Sequence, residues 1–240
     1  MTDAWLARYA PQPRQGRPWV TLTFAQSQDG KIAGAQKQQL RLSGERSMTM
    51  THRIRSMHDA ILVGIGTMMA DNPRLNVRLD GYTGPSPRPI VLDRDLRTPP
   101  TCRLMDVARV SPPILMACPP SEPDALHGWR KRKEALEEAG FLVECVDMEG
   151  TQLSWSSILQ RLAALHLSSV MIEGGAGVID SVLQTHTVSP MIDVVLVTVA
   201  PTVVGEEGYG YTTSLFDMPA WHEASRCSLS PDTVIALLPL

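Results

Sequence analysis

The sequence predicts an α/β fold: a mainly parallel sheet flanked by helices, with an antiparallel hairpin at the carboxyl end. Two observations predict it. Short apolar runs alternate with helical segments through most of the chain, the pattern of strands that share a direction. The last two runs break that rhythm, because only Ser230-Pro231-Asp232 separates them.

Taken in order, Trp19–Gln26 alternates and is rich in β-branched residues, so it reads as a strand closed by the turn Ser27-Gln28-Asp29-Gly30. Residues 46–57 read as a helix capped by Ser43, with Glu45 and Arg46 in its first turn. A buried strand follows at 60–63, then a loop over 80–89 and a short strand at 90–92. Ile114–Ala117 is a strand stopped by Pro119-Pro120. Asp124 is placed to cap a helix that Gly140 ends. Residues 142–146 form a strand and 155–166 a helix behind Ser154. Ser169–Ile172 is a strand running into Glu173-Gly174-Gly175-Ala176-Gly177, with a short helix at 178–184 behind it and a long apolar strand at 193–199. Residues 224–229 and 233–238 make the closing hairpin. No stretch resembles an interdomain linker, so the expected organisation is an N-terminal extension over 1–17 and one domain over 18–240.

The chain has 240 residues, enough to bury a substantial core, and its 43% hydrophobic content excludes a disordered or fibrous class. A net charge of −3 gives no electrostatic case for a nucleic-acid partner, so any nucleotide bound here is a cofactor or metabolite. The four cysteines, Cys102, Cys118, Cys145 and Cys227, are far apart and contain no C-x-x-C pair, which suits inert buried thiols in a reducing compartment. The N-terminus carries Asp3 and no apolar core of a secretory signal, and no run approaches a membrane span. A cytoplasmic protein without membrane partners is expected.

Ligands of open α/β sheets bind at the carboxyl ends of the strands, and three clusters follow strands here. Ser27-Gln28-Asp29-Gly30-Lys31-Ile32-Ala33 is either a polar turn with Gly30 at positive φ or a loop that brings Lys31 to a phosphate. The segment from Asp59 to Arg78 is more specific. Its strand breaks at Gly64 and Gly66, then presents Thr67, Asp71, Arg74 and Arg78 around Pro73. Thr67 and Asp71 are four apart and share a face of any helical turn, whereas Arg78 lies beyond a proline that the helix cannot cross. A guanidinium held at such a bend suits a phosphate. In the third cluster, Glu173 ends a strand and Gly174, Gly175, Ala176 and Gly177 precede a helix. Free N–H groups there suit a diphosphate, although a tight turn needing small residues fits as well.

No P-loop, H-E-x-x-H or G-x-S-x-G motif occurs, and the Rossmann fingerprint fails at Gly64-Ile65-Gly66-Thr67. The six histidines show no metal spacing, so no metal site is expected, and His52 and His58 read as local hydrogen-bonders. The basic and acidic run over 130–138 is a solvated helix face. Residues 205–211 read as a flexible loop, with cover of a ligand as the alternative.

Together the clusters, with Leu42-Ser43-Gly44, Arg55, His58-Asp59-Ala60-Ile61-Leu62-Val63-Gly64 and Asp71-Asn72-Pro73-Arg74-Leu75, resemble the riboflavin-biosynthesis pyrimidine reductases, whose fold is like dihydrofolate reductase. The resemblance runs from about residue 18 to the final hairpin and is least distinctive over 100–165. It implies NADPH-dependent reduction, with NADH as the alternative cofactor, of a ribosylamino-pyrimidinone 5′-phosphate to its ribitylamino form. It also implies a homodimer. In such enzymes Thr67, Asp71 and the loop of Gly174, Gly175, Ala176 and Gly177 meet the dinucleotide. Arg55, Leu75, Arg78 and Glu173 face the substrate, Arg55 and Arg78 anchoring its 5′-phosphate with Lys31, and Asp71 and Glu173 are the candidate catalytic groups. No zinc-deaminase signature precedes the reductase segment. That stand-alone arrangement resembles fungal and archaeal members and implies the diamino substrate. Relatives contact substrate or cofactor from the loop over 34–41 through small hydroxyl or aromatic side chains; this chain departs from that pattern, so Gln39 and Arg41 carry no assigned role. A related reductase of the deaminated pyrimidine or of a dihydrofolate-like substrate, and a non-catalytic NADPH-binding regulator, are the rival readings.

Overall fold

The computed structural model describes residues 2–106, 111–213 and 215–240. Strand β1 (Trp19–Gln26) turns through Gly30, at φ 76°, into the short β2 (Lys31–Ala33). Helix α2 (Glu45–Arg55) leads to β3 (Ala60–Gly64), every residue of which is buried, and β3 passes directly into α3 (Ile65–Asp71). Then come β4 (Arg88–Leu92), β5 (Ile114–Ala117), α4 (Pro123–Glu138) and β6 (Leu142–Cys145). The two-residue strands β7 (Met148–Glu149) and β8 (Gln152–Leu153) form a small ribbon ahead of α5 (Trp155–Ala164). After β9 (Ser169–Ile172), α6 (Ala176–Val188) and β10 (Val194–Val199) comes the two-residue β11 (Tyr209–Gly210). The chain closes on β12 (Trp221–Leu229) and β13 (Asp232–Pro239).

The main sheet has the order β12-β13-β10-β1-β9-β3-β4-β5-β6. Pairing is parallel from β10 to β6, and the β12–β13 hairpin adds antiparallel strands at the β10 edge. The parallel, mostly buried sheet with a closing hairpin is the architecture the sequence predicts. Among the departures of spatial order from chain order, that of β9 decides the site. β9 returns from the far edge and inserts between β1 and β3, so the segments that follow these three strands lie side by side.

Several boundaries move from their expected places, each for a physical reason. Helix α2 starts behind Gly44 rather than on a Ser43 cap, and no side chain of its own caps it. The Gly44 N–H instead donates to Asp232 Oδ2 at 2.8 Å, so the closing hairpin satisfies the segment entering the helix. Glu122, not Asp124, is the cap residue of α4, because Pro123 can take the first turn, where a missing N–H costs nothing. Helix α5 stops at Ala164, and His166 adopts φ 59° just beyond it. Helix α6 is longer than expected at both ends: Ala176 and Gly177 lie inside it, and Ile179, Val182, Leu183 and His186 form its buried face. Strand β4 begins two residues early. Its Pro89 precedes the pairing with β5, which starts at Ile90, so no bond of that ladder is lost.

The N-terminal segment carries an unforeseen helix, α1 (Thr2–Ala7). Trp5, Leu6 and Tyr9 are buried beside Trp19, Met50, Ile54 and Val194, and Ser225 Oγ meets both Trp5 Nε1 at 2.7 Å and Tyr9 Oη at 2.6 Å. The 205–211 segment does not hang free either. Tyr209 and Gly210 pair with β2, and the Asp29 carboxylate accepts the N–H groups of Val204 and Gly205 at 3.0 and 2.8 Å. Among the described residues no helix is long and apolar enough to cross a membrane.

Candidate active site

At the carboxyl end of β3 the backbone turns without a spacer into α3, because glycine at 64 leaves room for another helix. A Cβ on Gly64 would lie 2.7 Å from Val178 Cγ2, and one on Gly174 would lie 2.5 Å from Val178 Cβ. Both glycines thus let the first turn of α6 press against the ends of β3 and β9. Gly175 differs. It is the cap residue of α6, and a Cβ there would stand 3.4 Å from Thr67 Oγ1. The first turns of α3 and α6 therefore meet across Thr67 and Gly175, and neither is capped by a side chain.

Helix α3 ends at Asp71, where Asn72 takes a left-handed conformation at φ 40°; Leu75 does so again at φ 53° although it is buried. These two reversals around Pro73 fold the chain back over the strand ends. A cavity of about 330 Å³ opens there, lined among others by Arg55, Thr67, Asp71, Leu75, Arg78 and Glu173. Residues that the sequence scatters from 55 to 173 are thus gathered in one cleft. Lys31, Gly174, Gly175, Ala176 and Gly177 do not line it. The stem of Lys31 runs beside Gly208 and Gly210, where an added Cβ would come within 2.8 Å of its Cγ and 3.6 Å of its Cδ.

Arg55 comes from the last turn of α2 and Glu173 from the residue after β9, held by its N–H on Leu62 O at 2.9 Å. Their side chains form a two-pronged ion pair: Arg55 Nε donates to Glu173 Oε1 at 2.7 Å and Nη2 to Oε2 at 2.6 Å. Arg55 Nη1 donates to Asn76 O at 3.1 Å. Burial alone lowers the Arg55 pKa, but the charge and hydrogen bonds of Glu173 outweigh it and raise the net value. Arg78 sits opposite, its Nη1 on Asn76 Oδ1 at 3.0 Å, and its pKa is lowered by desolvation and by the charges of Arg55 and Arg74. Desolvation raises the Asp71 carboxyl. The lining holds four guanidiniums, Arg55, Arg74, Arg78 and Arg103, against two carboxylates, Asp71 and Glu173, so it suits an anion.

Two histidines stand behind the cleft. His52 accepts the Arg78 N–H at Nδ1 at 3.2 Å, and burial beside Arg55 and Arg78 pushes its pKa down to about 4. His58 lies between Thr21 Oγ1 and Ile54 O, each at 2.8 Å, and burial lowers its pKa too. Since Ile54 O can only accept, Nδ1 of His58 carries the proton and Nε2 accepts from Thr21. Gln39 and Arg103 also line the cavity. Gln39 belongs to the loop from which relatives contact their ligands, although its side chain departs from their pattern, and Arg103 opens a short 3₁₀ turn that no motif marks.

The chain is similar in sequence to proteins named 2,5-diamino-6-ribosylamino-4(3H)-pyrimidinone 5′-phosphate reductase. That of the yeast Debaryomyces hansenii is 34% identical over 241 residues, covering 90% of each chain. That of the archaeon Methanothermobacter thermautotrophicus is 34% identical over 191 residues, covering 79% of this chain and 80% of the other. Among solved structures, the Saccharomyces cerevisiae riboflavin biosynthesis reductase Rib7 superposes with a TM-score of 0.74 at 24% identity, covering 99% of this chain and 98% of that one. Acinetobacter baumannii RibD gives a TM-score of 0.76 at 24% identity over 94% of this chain, which spans 59% of that longer protein. The model of the RibD C-terminal domain matches residues 18–235, and the chain belongs to that family.

Proposed function

We propose that this protein reduces 2,5-diamino-6-ribosylamino-4(3H)-pyrimidinone 5′-phosphate to its ribitylamino form in riboflavin biosynthesis, with NADPH as reductant, and that it works in the cytoplasm as a homodimer. The observation that carries the reading is the cleft itself: a cationic seat for a phosphate and an arginine-clamped carboxylate, with Gly175 approaching its lining residue Thr67 from the next helix start. The relatives named for this reaction match along most of the chain.

The residues at the helix starts fit a dinucleotide. A side chain at Gly175 would fill the space beside Thr67, and the methyl of Ala176 and the bare backbone of Gly177 leave the first N–H groups of α6 reachable by a diphosphate. Thr67, Asp71, Gly174, Gly175, Ala176 and Gly177 form this side of the site in our reading. When bound, the nicotinamide supplies a hydride. The protein's own task is to hold the open-chain imine carbon C1′ of the sugar at that hydride and to see one proton delivered to the imine nitrogen, giving the amine.

Arg55, Leu75, Arg78 and Glu173 face the substrate, with Arg78 on its 5′-phosphate. Glu173, immobilised by Arg55, is an acceptor of fixed direction for a base N–H or a ribose hydroxyl. Asp71 lines the cleft one helical turn from Thr67, and desolvation raises its carboxyl, both of which suit a group that assists ring opening. Lys31 stays outside the cleft lining and enters only as a flanking charge.

Anaerobic NADPH oxidation with the diamino and the deaminated pyrimidine phosphates side by side tests the reading. Turnover of the diamino compound with a higher kcat/KM is expected. Preference for the deaminated compound overturns the substrate assignment, and cofactor binding with no turnover of either overturns the reaction.

A further inference from the structure

We propose that Arg103, together with Arg78, is the seat of the substrate's 5′-phosphate, and that Asn72 is the positioning residue that holds Arg103 over the cleft. The inference rests on the reductase reading for the identity of the ligand, but the seat itself is an anion site that stands on geometry.

The guanidiniums of the cleft are not equivalent. Arg55 has committed Nε and Nη2 to Glu173 and Nη1 to Asn76 O, so its charge is already balanced and its fork is occupied. Arg74 is paired through Nε with Asp106 Oδ2 at 3.0 Å. Among the described residues no carboxylate lies within ion-pair reach of Arg78 or Arg103, and the one side-chain bond of Arg78 goes to the neutral Asn76 amide. Two unbalanced guanidiniums thus line the same cavity.

Arg103 reaches that cavity by construction. It opens the single turn of 3₁₀ helix Arg103–Asp106, which is stapled to the α3 end at both of its own ends. The Arg103 N–H donates to Asn72 Oδ1 at 2.9 Å, and Asp106 takes the Arg74 pair. Asn72 can make this bond because its left-handed backbone turns the chain at the α3 terminus. Like charges outside an ion pair repel, and the charges of Arg55, Arg74 and Arg103 help to lower the Arg78 pKa, with only a partial offset from Glu173. A phosphate dianion relieves that repulsion and offers acceptors for both planar forks. Glu173 and Arg55 are then left for the base and sugar.

The test uses the intact protein with Arg103→Ala, Arg103→Lys and Asn72→Ala. Arg103 is exposed, so its replacement leaves the core alone. With the phosphorylated pyrimidine, Arg103→Ala is expected to raise KM about tenfold or more, the scale of a lost charge-assisted hydrogen bond, with the NADPH KM held within about twofold. The preference for the phosphorylated substrate over its dephosphorylated nucleoside falls by the same factor. Arg103→Lys recovers part of the loss, and Asn72→Ala shifts the substrate KM in the same direction. An unchanged substrate KM, an equal loss on the nucleoside, or a loss that falls on NADPH overturns the assignment. If the wild type turns over neither pyrimidine, the reductase reading fails separately. The seat is then read by calorimetric titration of ribose 5-phosphate: binding by the wild type that Arg103→Ala abolishes supports it, and equal or absent binding overturns it.

Discussion

At the scale of single residues, the cleft is governed by how each charge is balanced. Arg55 and Glu173 are 11% and 18% exposed at their side chains, so removal of either leaves its partner as an uncompensated charge in a half-buried setting. His52 is held neutral by its surroundings, and this has a pH signature. The unfolded chain takes up that proton near the ordinary value of 6.5, the folded one only near 4. Between those values the unfolded state binds more protons, so stability is full above the upper one and declines as pH falls toward the lower. Urea midpoints measured across this window are expected to drop with pH in the wild type and less steeply in His52→Gln. Equal slopes would show that His52 does not carry the effect. Thr67, Asp71, Arg78 and Glu173 were legible because their spacing after strands means little for packing alone. Gln39 was legible only as part of a loop that relatives use, its amide departing from their pattern, and Arg103 was not legible at all, because a polar residue without a motif acquires meaning only from what it folds against.

At the scale of elements, glycines of one motif serve different ends. Gly174 is required by packing, since α6 approaches the β9 end to within the space of a Cβ, whereas Gly175 faces the proposed cofactor space at an unstrained φ of −74°. Gly174→Ala is therefore expected to lower stability by about 1–3 kcal/mol, the usual cost of overpacking. Gly175→Val should weaken NADPH binding with a much smaller loss of stability. Denaturation midpoints and titration of cofactor fluorescence separate the two. A Gly174→Ala protein as stable as the wild type would mean that the turn relaxes, and unaltered cofactor affinity in Gly175→Val would remove that residue from the cofactor side. The strands of the main sheet were legible to within a few residues, because buried apolar runs with glycine or proline ends admit few alternatives. Helix starts were less so. Ser43 and Asp124 have the right chemistry for caps, but Asp232 reaches across from the hairpin in one case and Pro123 occupies the first turn in the other.

At the scale of the whole molecule, the N-terminal segment belongs to the packing rather than trailing from it. Trp5 is 9% exposed, lies edge-on to Tyr9 at 5.0 Å and joins the cluster shared with β1, β10 and the closing hairpin. Trp5→Ala is expected to cost about 3 kcal/mol, the low end for a large aromatic, and urea denaturation checks it. A loss under about 1 kcal/mol, the scale of an ordinary surface change, would make α1 a dispensable extension.

The sequence by itself determined the α/β class, the run of strands and the three clusters that follow them, because hydrophobic period, glycine and charge are local properties of the chain. Tertiary structure alone decided that β9 enters between β1 and β3, which turns three separate clusters into neighbours. It also decided which arginines are balanced. Arg55, Arg74, Arg78 and Arg103 have the same chemistry in the sequence, and only the folded chain gives Glu173 to the first, Asp106 to the second and leaves the other two facing a cavity. The physical reason is the same in both cases: strand order and ion pairing depend on contacts between residues distant in sequence, which no local pattern encodes.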